Sequence, residues 1–104
     1  MNGPHPRRAP DPILFERAMV RRPIAVEVDR PEVLRPRLTG FWLAGEFHRV
    51  VRVLEVRRER GELFCRVLTD RGAFDLRRYY RTDPWSLRGT AAWEAYAELE
   101  AVEV

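Results

Sequence analysis

The chain has 104 residues, 45% of them hydrophobic, 34% charged and 11% aromatic, a balance that fits one compact domain with a modest core and argues against two domains. Cys65 is the only cysteine, which excludes an intrachain disulfide and a cysteine metal cluster, and no apolar run reaches the length of a membrane span. All 19 basic residues are arginine, set against 16 acidic side chains for a net charge of +3.

Residues 1–12, with Gly3, Pro4, Pro6, Pro10 and Pro12, read as an arm rich in proline and arginine whose X-Pro steps disfavour helix. A signal peptide would need an apolar stretch where proline and arginine stand, so a soluble cytoplasmic protein is expected. Asp11 as N-cap and Pro12 at the first helical position predict a short helix to about Arg22, with Phe15 and Met19 four apart on one face and Pro23 as its stop. Strand signals follow. Ile24, Val26 and Val28 alternate with Ala25 and Glu27. The stretch with Pro31 and Pro36 is a loop, Leu38 to Leu43 a second strand, and Ala44-Gly45 a tight turn. Glu46 to Arg58 carries apolar residues at helical spacing, but its run of β-branched valines favours a long strand with a bulge. Arg60-Gly61 and Asp70-Arg71-Gly72 mark hairpins into Leu63 to Thr69 and Ala73 to Tyr80, with the glycine third in each turn supplying the left-handed position of a three-residue loop. Asp83-Pro84 precedes a last strand at Trp85 to Leu87. Residues 91–102 then read as an alanine-rich helix, with Trp93, Tyr96 and Leu99 on one flank and Glu94 and Glu98 on another.

The predicted fold is therefore mainly β, a small antiparallel meander curling into a five- or six-stranded barrel over residues 23–90. An arm with a short N-terminal helix (1–22) precedes it and a C-terminal acidic helix (91–104) follows. Trp42 and Trp85 are expected in the core with Phe47, Phe64 and Phe74.

The string Trp42, Gly45, Val50, Val53, Leu54, then Arg66-Val67-Leu68-Thr69-Asp70-Arg71-Gly72, then Trp85 and Leu87, resembles a small uncharacterised bacterial domain family. In that family a strand ending W-x-x-G leads into V-x-R-V-L, a hairpin, R-V-L-T-D-R-G and a closing W-x-L. The resemblance covers roughly residues 23–88, the β-rich part. Such domains occur alone and near the C-terminus of Y-family polymerase-like proteins of mutagenesis cassettes, so the resemblance implies a β fold and a DNA-repair or damage-tolerance neighbourhood. It implies no catalytic activity. Two features differ from the family: the third and fourth strands are joined by only Glu59 to Glu62, and a helical tail replaces the closing V-Y/W-D.

Catalytic constellations are scarce. Ser86 is the sole serine, Cys65 sits in a strand, and the two histidines are His5 in the arm and His48 in a strand. A nucleophile–base pair would have to join Cys65 to His48, and a core cysteine beside a strand-face histidine is the plainer reading. Two histidines without a CxxC make no zinc site. Asp70 reads as a turn-former. No enzyme, metal or cofactor is expected.

The charge pattern carries the functional signal. Glu94, Glu98, Glu100 and Glu103 crowd the end of the chain, leaving residues 1–93 with 19 basic and 12 acidic side chains, a net of +7. A basic body of this kind suits a polyanion. In Arg77-Arg78-Tyr79-Tyr80-Arg81, strand alternation puts Arg77, Tyr79 and Arg81 on one face, where guanidinium groups could take phosphates while a base stacks on the ring. Arg78, and Arg52 and Arg66 among the arginines of neighbouring strands, extend the candidate nucleic-acid-binding set. Two plainer readings stand beside this one: the tyrosines pack at a barrel end, or Glu55, Glu59 and Glu62 neutralise the arginines as cross-strand pairs. The exclusive use of arginine fits either a G+C-rich, even thermophilic, genome or a demand for bidentate phosphate recognition. A non-enzymatic module that binds nucleic acid electrostatically is the expected function. The alternative is a protein-interaction adaptor that docks a polymerase, or a second copy of itself, through residues 12–22 or 91–102. A carboxylate-only enzyme is the remote third option.

Overall fold

A computed structural model describes residues 12–29 and 37–101. Six strands follow in chain order: β1 (Leu14–Asp29), β2 (Arg37–Leu43), β3 (Glu46–Glu59), β4 (Glu62–Thr69), β5 (Gly72–Thr82) and β6 (Gly89–Ala101). Each pairs antiparallel with the next and β6 returns to β1, which closes the barrel. Closure depends on the length of β1. It pairs with β6 from Leu14 to Ile24 and with β2 from Ala25 to Asp29, so one strand serves two partners in succession.

Four expectations are corrected. The N-terminal helix to Arg22 is instead the first half of β1. Phe15 and Met19, four apart, suggested a helix face, yet both side chains are half exposed and the backbone is held by the β6 ladder. Pro23 is tolerated because it lies in the stretch that pairs only with β6, just beyond a register shift at Met19/Arg22 where Arg21 takes a positive φ of 47°. The acidic helix over 91–102 is strand β6. Its alanines are cross-strand spacers, since Leu76, Tyr79 and Tyr80 of β5 face Ala95, Ala92 and Ala91. Tertiary pairing thus overrides the helical propensity of alanine. The strand expected at Trp85 to Leu87 belongs to the turn that joins β5 to β6. Trp42 and Trp85 are outside the core, at 43% and 94% exposure; Trp42 packs on Phe47 across the β2–β3 ladder at 4.7 Å instead. The arm of residues 1–11 with the Asp11 cap, the loop with Pro31 and Pro36, and the acidic end at Glu103 lie outside the described residues.

The remaining strands follow the expected pattern. Ala44-Gly45 and Arg60-Gly61 are two-residue hairpin turns with φ of 51° and 81°, and 50° and 78°, the double left-handed geometry that twisted two-residue hairpins need. The two turns expected as three-residue loops are thus one residue shorter, Glu59 pairing with Glu62 and Thr69 with Gly72. Thr69 builds the next turn by accepting from the Arg71 amide and donating to the Gly72 carbonyl. Asp70 bonds the backbone as expected, but that of the neighbouring strand: it accepts from the Arg49 amide of β3 at 2.9 Å, next to a register shift.

Alternation sends Leu63, Cys65 and Val67 of β4, Phe74 and Leu76 of β5, Phe41 of β2 and Ala95 of β6 into the interior. His48 joins them at 6% exposure, its ring parallel to Phe41 at 5.0 Å and edge-on to Phe74 at 5.2 Å. Burial, helped by the charge of Arg71, pushes the His48 pKa down. A second cluster, Ala73, Ala97 and Leu99 with Leu68 and Tyr96, covers the other face of β5. No helix among the described residues is long and apolar enough to cross a membrane.

Gly40 is the tightest point. A Cβ there would overlap the Phe47 ring and come within 2.9 Å of the His48 carbonyl, and the Trp42–Phe47 contact leaves that ring little room to move. Gly40→Ala should therefore cost about 1–3 kcal/mol in denaturant unfolding, whereas Ala at Gly45 costs through its φ of 81° alone.

Candidate nucleic-acid interface

The expected arginine face forms, but its cations are spoken for. On the outer face of the barrel the register places Phe64 of β4, Arg77 of β5 and Glu94 of β6 side by side. Arg77 donates from Nε and Nη2 to the two oxygens of Glu62, both at 2.6 Å, and from Nη1 to Glu94 at 2.7 Å. Its side chain is only 16% exposed, and that of Glu94 9%. The guanidinium also lies 4.5 Å above the Tyr79 ring, which occupies one face of that tyrosine. Burial raises the cost of stranding either charge, so the triad is held by geometry and by mutual need. Its hydrogen bonds push Arg77 further up, while the bond from Arg77 holds the Glu62 carboxyl below its usual range.

Arg66 is likewise engaged. It makes a two-point fork with Asp75, its cross-strand neighbour, at 2.9 and 3.0 Å, and Asp75 is buried. Arg57 pairs with Glu59 at 2.9 Å and covers Phe64 at 5.0 Å. Arg21 leans on Glu94 at 4.0 Å and on Tyr96 at 5.7 Å. Arg52, half-buried on β3, is not free either. The partners Glu94 and Asp75 were hidden by sequence order: Glu94 had been assigned to a helix, and Asp75 meets Arg66 only in the ladder register. Glu62 and Glu59 act as the neutralising reading expected; Glu55 faces Arg66 in register, but Asp75 holds that fork.

Arg78 points the other way, into the barrel mouth, with its guanidinium 6.0 Å from the Trp93 ring. Arg81 alone of the expected set stands on open surface. The β4 ladder stops at Leu63↔Arg78, whereas β5 and β6 stay paired to Thr82↔Gly89. Residues 79–92 therefore project as a two-stranded ribbon. Its exposed groups are Tyr80 (61%), Trp85 (94%) and Leu87 (79%), together with Arg81 and Arg88, neither of which has an ion pair with a described carboxylate.

The ribbon tip is built. Asp83, its single acid, accepts from the Trp85 amide at 2.9 Å and from the Ser86 hydroxyl at 3.0 Å, and its own backbone bonds Arg88 and Leu87. The Trp85 amide bond, followed by the Ser86 hydroxyl, pulls the Asp83 pKa down. That carboxylate shapes the turn and forms no ion pair with either arginine.

Compared with known proteins, the chain matches no family model, no curated protein and no solved structure.

The Arg77 triad has a pH signature. Because the Glu62 pKa is depressed in the folded state, its stabilising contribution is present above the unfolded value of 4.5 and is lost as pH falls through the lower folded value. Thermal melts across the acid range should show a shallower decline for Glu62→Gln than for the wild-type chain. Parallel declines would mean that the Glu62 carboxylate plays no such part.

Proposed function

We propose that the protein is a non-enzymatic nucleic-acid-binding module whose contact element is the projecting β5–β6 ribbon. The observation that carries this reading is Trp85, held 94% in water by a turn that its own Asp83 fixes. An apolar ring of that size is costly to leave exposed unless something stacks on it. Nearby cations point to what that is. Arg81 and Arg88 flank the ring's turn, so a phosphate backbone can run along the ribbon while unpaired bases stack on Trp85 and Tyr80. The resemblance to small bacterial domains found beside Y-family polymerase-like proteins suits a repair or damage-tolerance setting.

This reading keeps the electrostatic mechanism but moves its seat. Arg66 and Arg77 become internal braces of the barrel, Tyr79 becomes the ring beneath Arg77, and Arg81 remains a phosphate contact. A protein-docking role is the second reading, favoured by Phe15 (47% exposed) and Met19 (51%) on β1.

Fluorescence anisotropy with a labelled single-stranded oligonucleotide across a salt series tests the first reading. Each of Arg81→Ala and Arg88→Ala should reduce the slope of log K against log salt by about 1, and Trp85→Ala should weaken binding by about 1–3 kcal/mol. Melting temperature should not change in any of the three. No binding at low ionic strength, with Phe15 and Met19 variants losing a captured protein partner instead, would hand the case to the docking reading.

A further inference from the structure

The mouth of the barrel next to the ribbon holds a cavity of about 280 Å3. Four strands contribute a row across it, because Arg58, Leu63, Arg78 and Trp93 are successive ladder partners of β3, β4, β5 and β6. The floor is apolar: Leu63 and Cys65 are buried there, at 8% and 6% exposure. Valines wall it, Val28 from β1 and Val56 from β3, the latter 56% exposed although it faces inward like the core. The charged groups lining the cavity are Arg37, Arg58 and Arg78, with no carboxylate among its described lining residues, and none of the three forms an ion pair with a described carboxylate.

Arg78 is the odd group. Its Nε is shut off from solvent and has no hydrogen-bond acceptor among the described residues, a rare condition for so strong a donor. Elsewhere in this barrel a half-buried arginine is met by an acid, as Arg66 is by Asp75 and Arg77 by Glu62 and Glu94. Three cations around an apolar well, none of them ion-paired with a described carboxylate, describe the complement of an acceptor-only head on a hydrocarbon body.

We propose that the barrel mouth binds a small anionic amphiphile, a carboxylate or phosphate monoester with a short apolar chain, the head on Arg78 and Arg58 and the chain over Leu63 and Cys65. Size sets the chain length. At about 30 Å3 for each water-sized group, the cavity takes about nine to ten non-hydrogen atoms, close to an eight-carbon acid. A nucleobase fits less well, since the side chains offer donors and hydrocarbon but no carboxylate or amide to accept from its exocyclic amine. The site is independent of the ribbon: Tyr80, Trp85 and Arg88 are not among its lining residues.

Heteronuclear NMR titrations of the full chain with octanoate, pentyl phosphate and 1-octanol test it. Octanoate or pentyl phosphate should shift the amides of Val56, Leu63, Cys65 and Trp93, the tighter of the two identifying the head group, and octanol should bind at least tenfold more weakly. Arg78→Leu should lower affinity for the anion at least tenfold and leave octanol unaffected. Arg58→Leu, on an exposed rim position, should lower it in the same direction without touching the barrel interior, which keeps the test sound should Arg78→Leu unfold. Octanol binding as tightly as the anions, shifts centred away from these residues, or no shift with either anion at millimolar concentration would overturn the proposal.

Discussion

Arg77 is held from two sides, by a fork onto Glu62 of β4 and by a third bond onto Glu94 of β6, and that clamp decides how the rest of the surface can be used. The three strands it spans are neighbours in the barrel, so the clamp adds charge-assisted bonds across a ladder that backbone pairing already defines. With Arg77 taken, and Arg66 taken by Asp75 in the same manner, two of the arginines expected to meet a polyanion brace the barrel wall instead. Phe64 is buried beneath Arg57, and Tyr79 gives one ring face to Arg77.

Strand length determines where the edges of the barrel are. β5 and β6 outrun β4 and β1, so the last few residue pairs of their ladder stand alone as a ribbon. Alanines make that ribbon possible: Ala91 and Ala92 face Tyr80 and Tyr79, leaving room for the rings. At its tip the Asp83 turn replaces interstrand pairing with side-chain bonds to backbone amides. The ribbon and the cavity at its foot share one sequence, Arg77 to Arg81, whose alternate residues feed three different environments. Arg77 goes to the outer wall, Arg78 to the mouth, and Tyr79, Tyr80 and Arg81 to the ribbon, Tyr79 with its ring against Arg77. One run of arginine and tyrosine that looks uniform in sequence is divided by the period-two geometry of a strand and by where its neighbours end.

Much of the barrel is legible from residue pattern. The valine-rich β3, the glycine turns at Gly45 and Gly61, and the alternating Ile24, Val26 and Val28 each carry local signals that tertiary contacts reinforce. The two ends of the chain are not legible in this way. Phe15 with Met19 and the alanine-rich stretch around Trp93 have helical spacing, and what makes them strands is each other, since β1 and β6 are long-range partners separated by most of the chain. The same non-local pairing concealed the site. Glu94 cannot be seen as a partner of Arg77 until β6 is a strand, and Asp75 cannot be matched to Arg66 until the β4–β5 register is known. Trp85 was misassigned for a related reason: tryptophan is a core residue by default, and only the outgrowth of the ribbon puts it in water.

Under the proposed function, cations locked to carboxylates are structural and the ribbon makes the polyanion contact. A 15N-detected titration that follows both backbone amides and arginine Nε groups, with an unlabelled oligonucleotide added at low salt, separates the two roles. The signals of Tyr80, Arg81, Trp85 and Arg88 should move while the Nε resonances of Arg66 and Arg77 stay in place. Movement concentrated on Arg66 and Arg77, with a silent ribbon, would contradict that assignment.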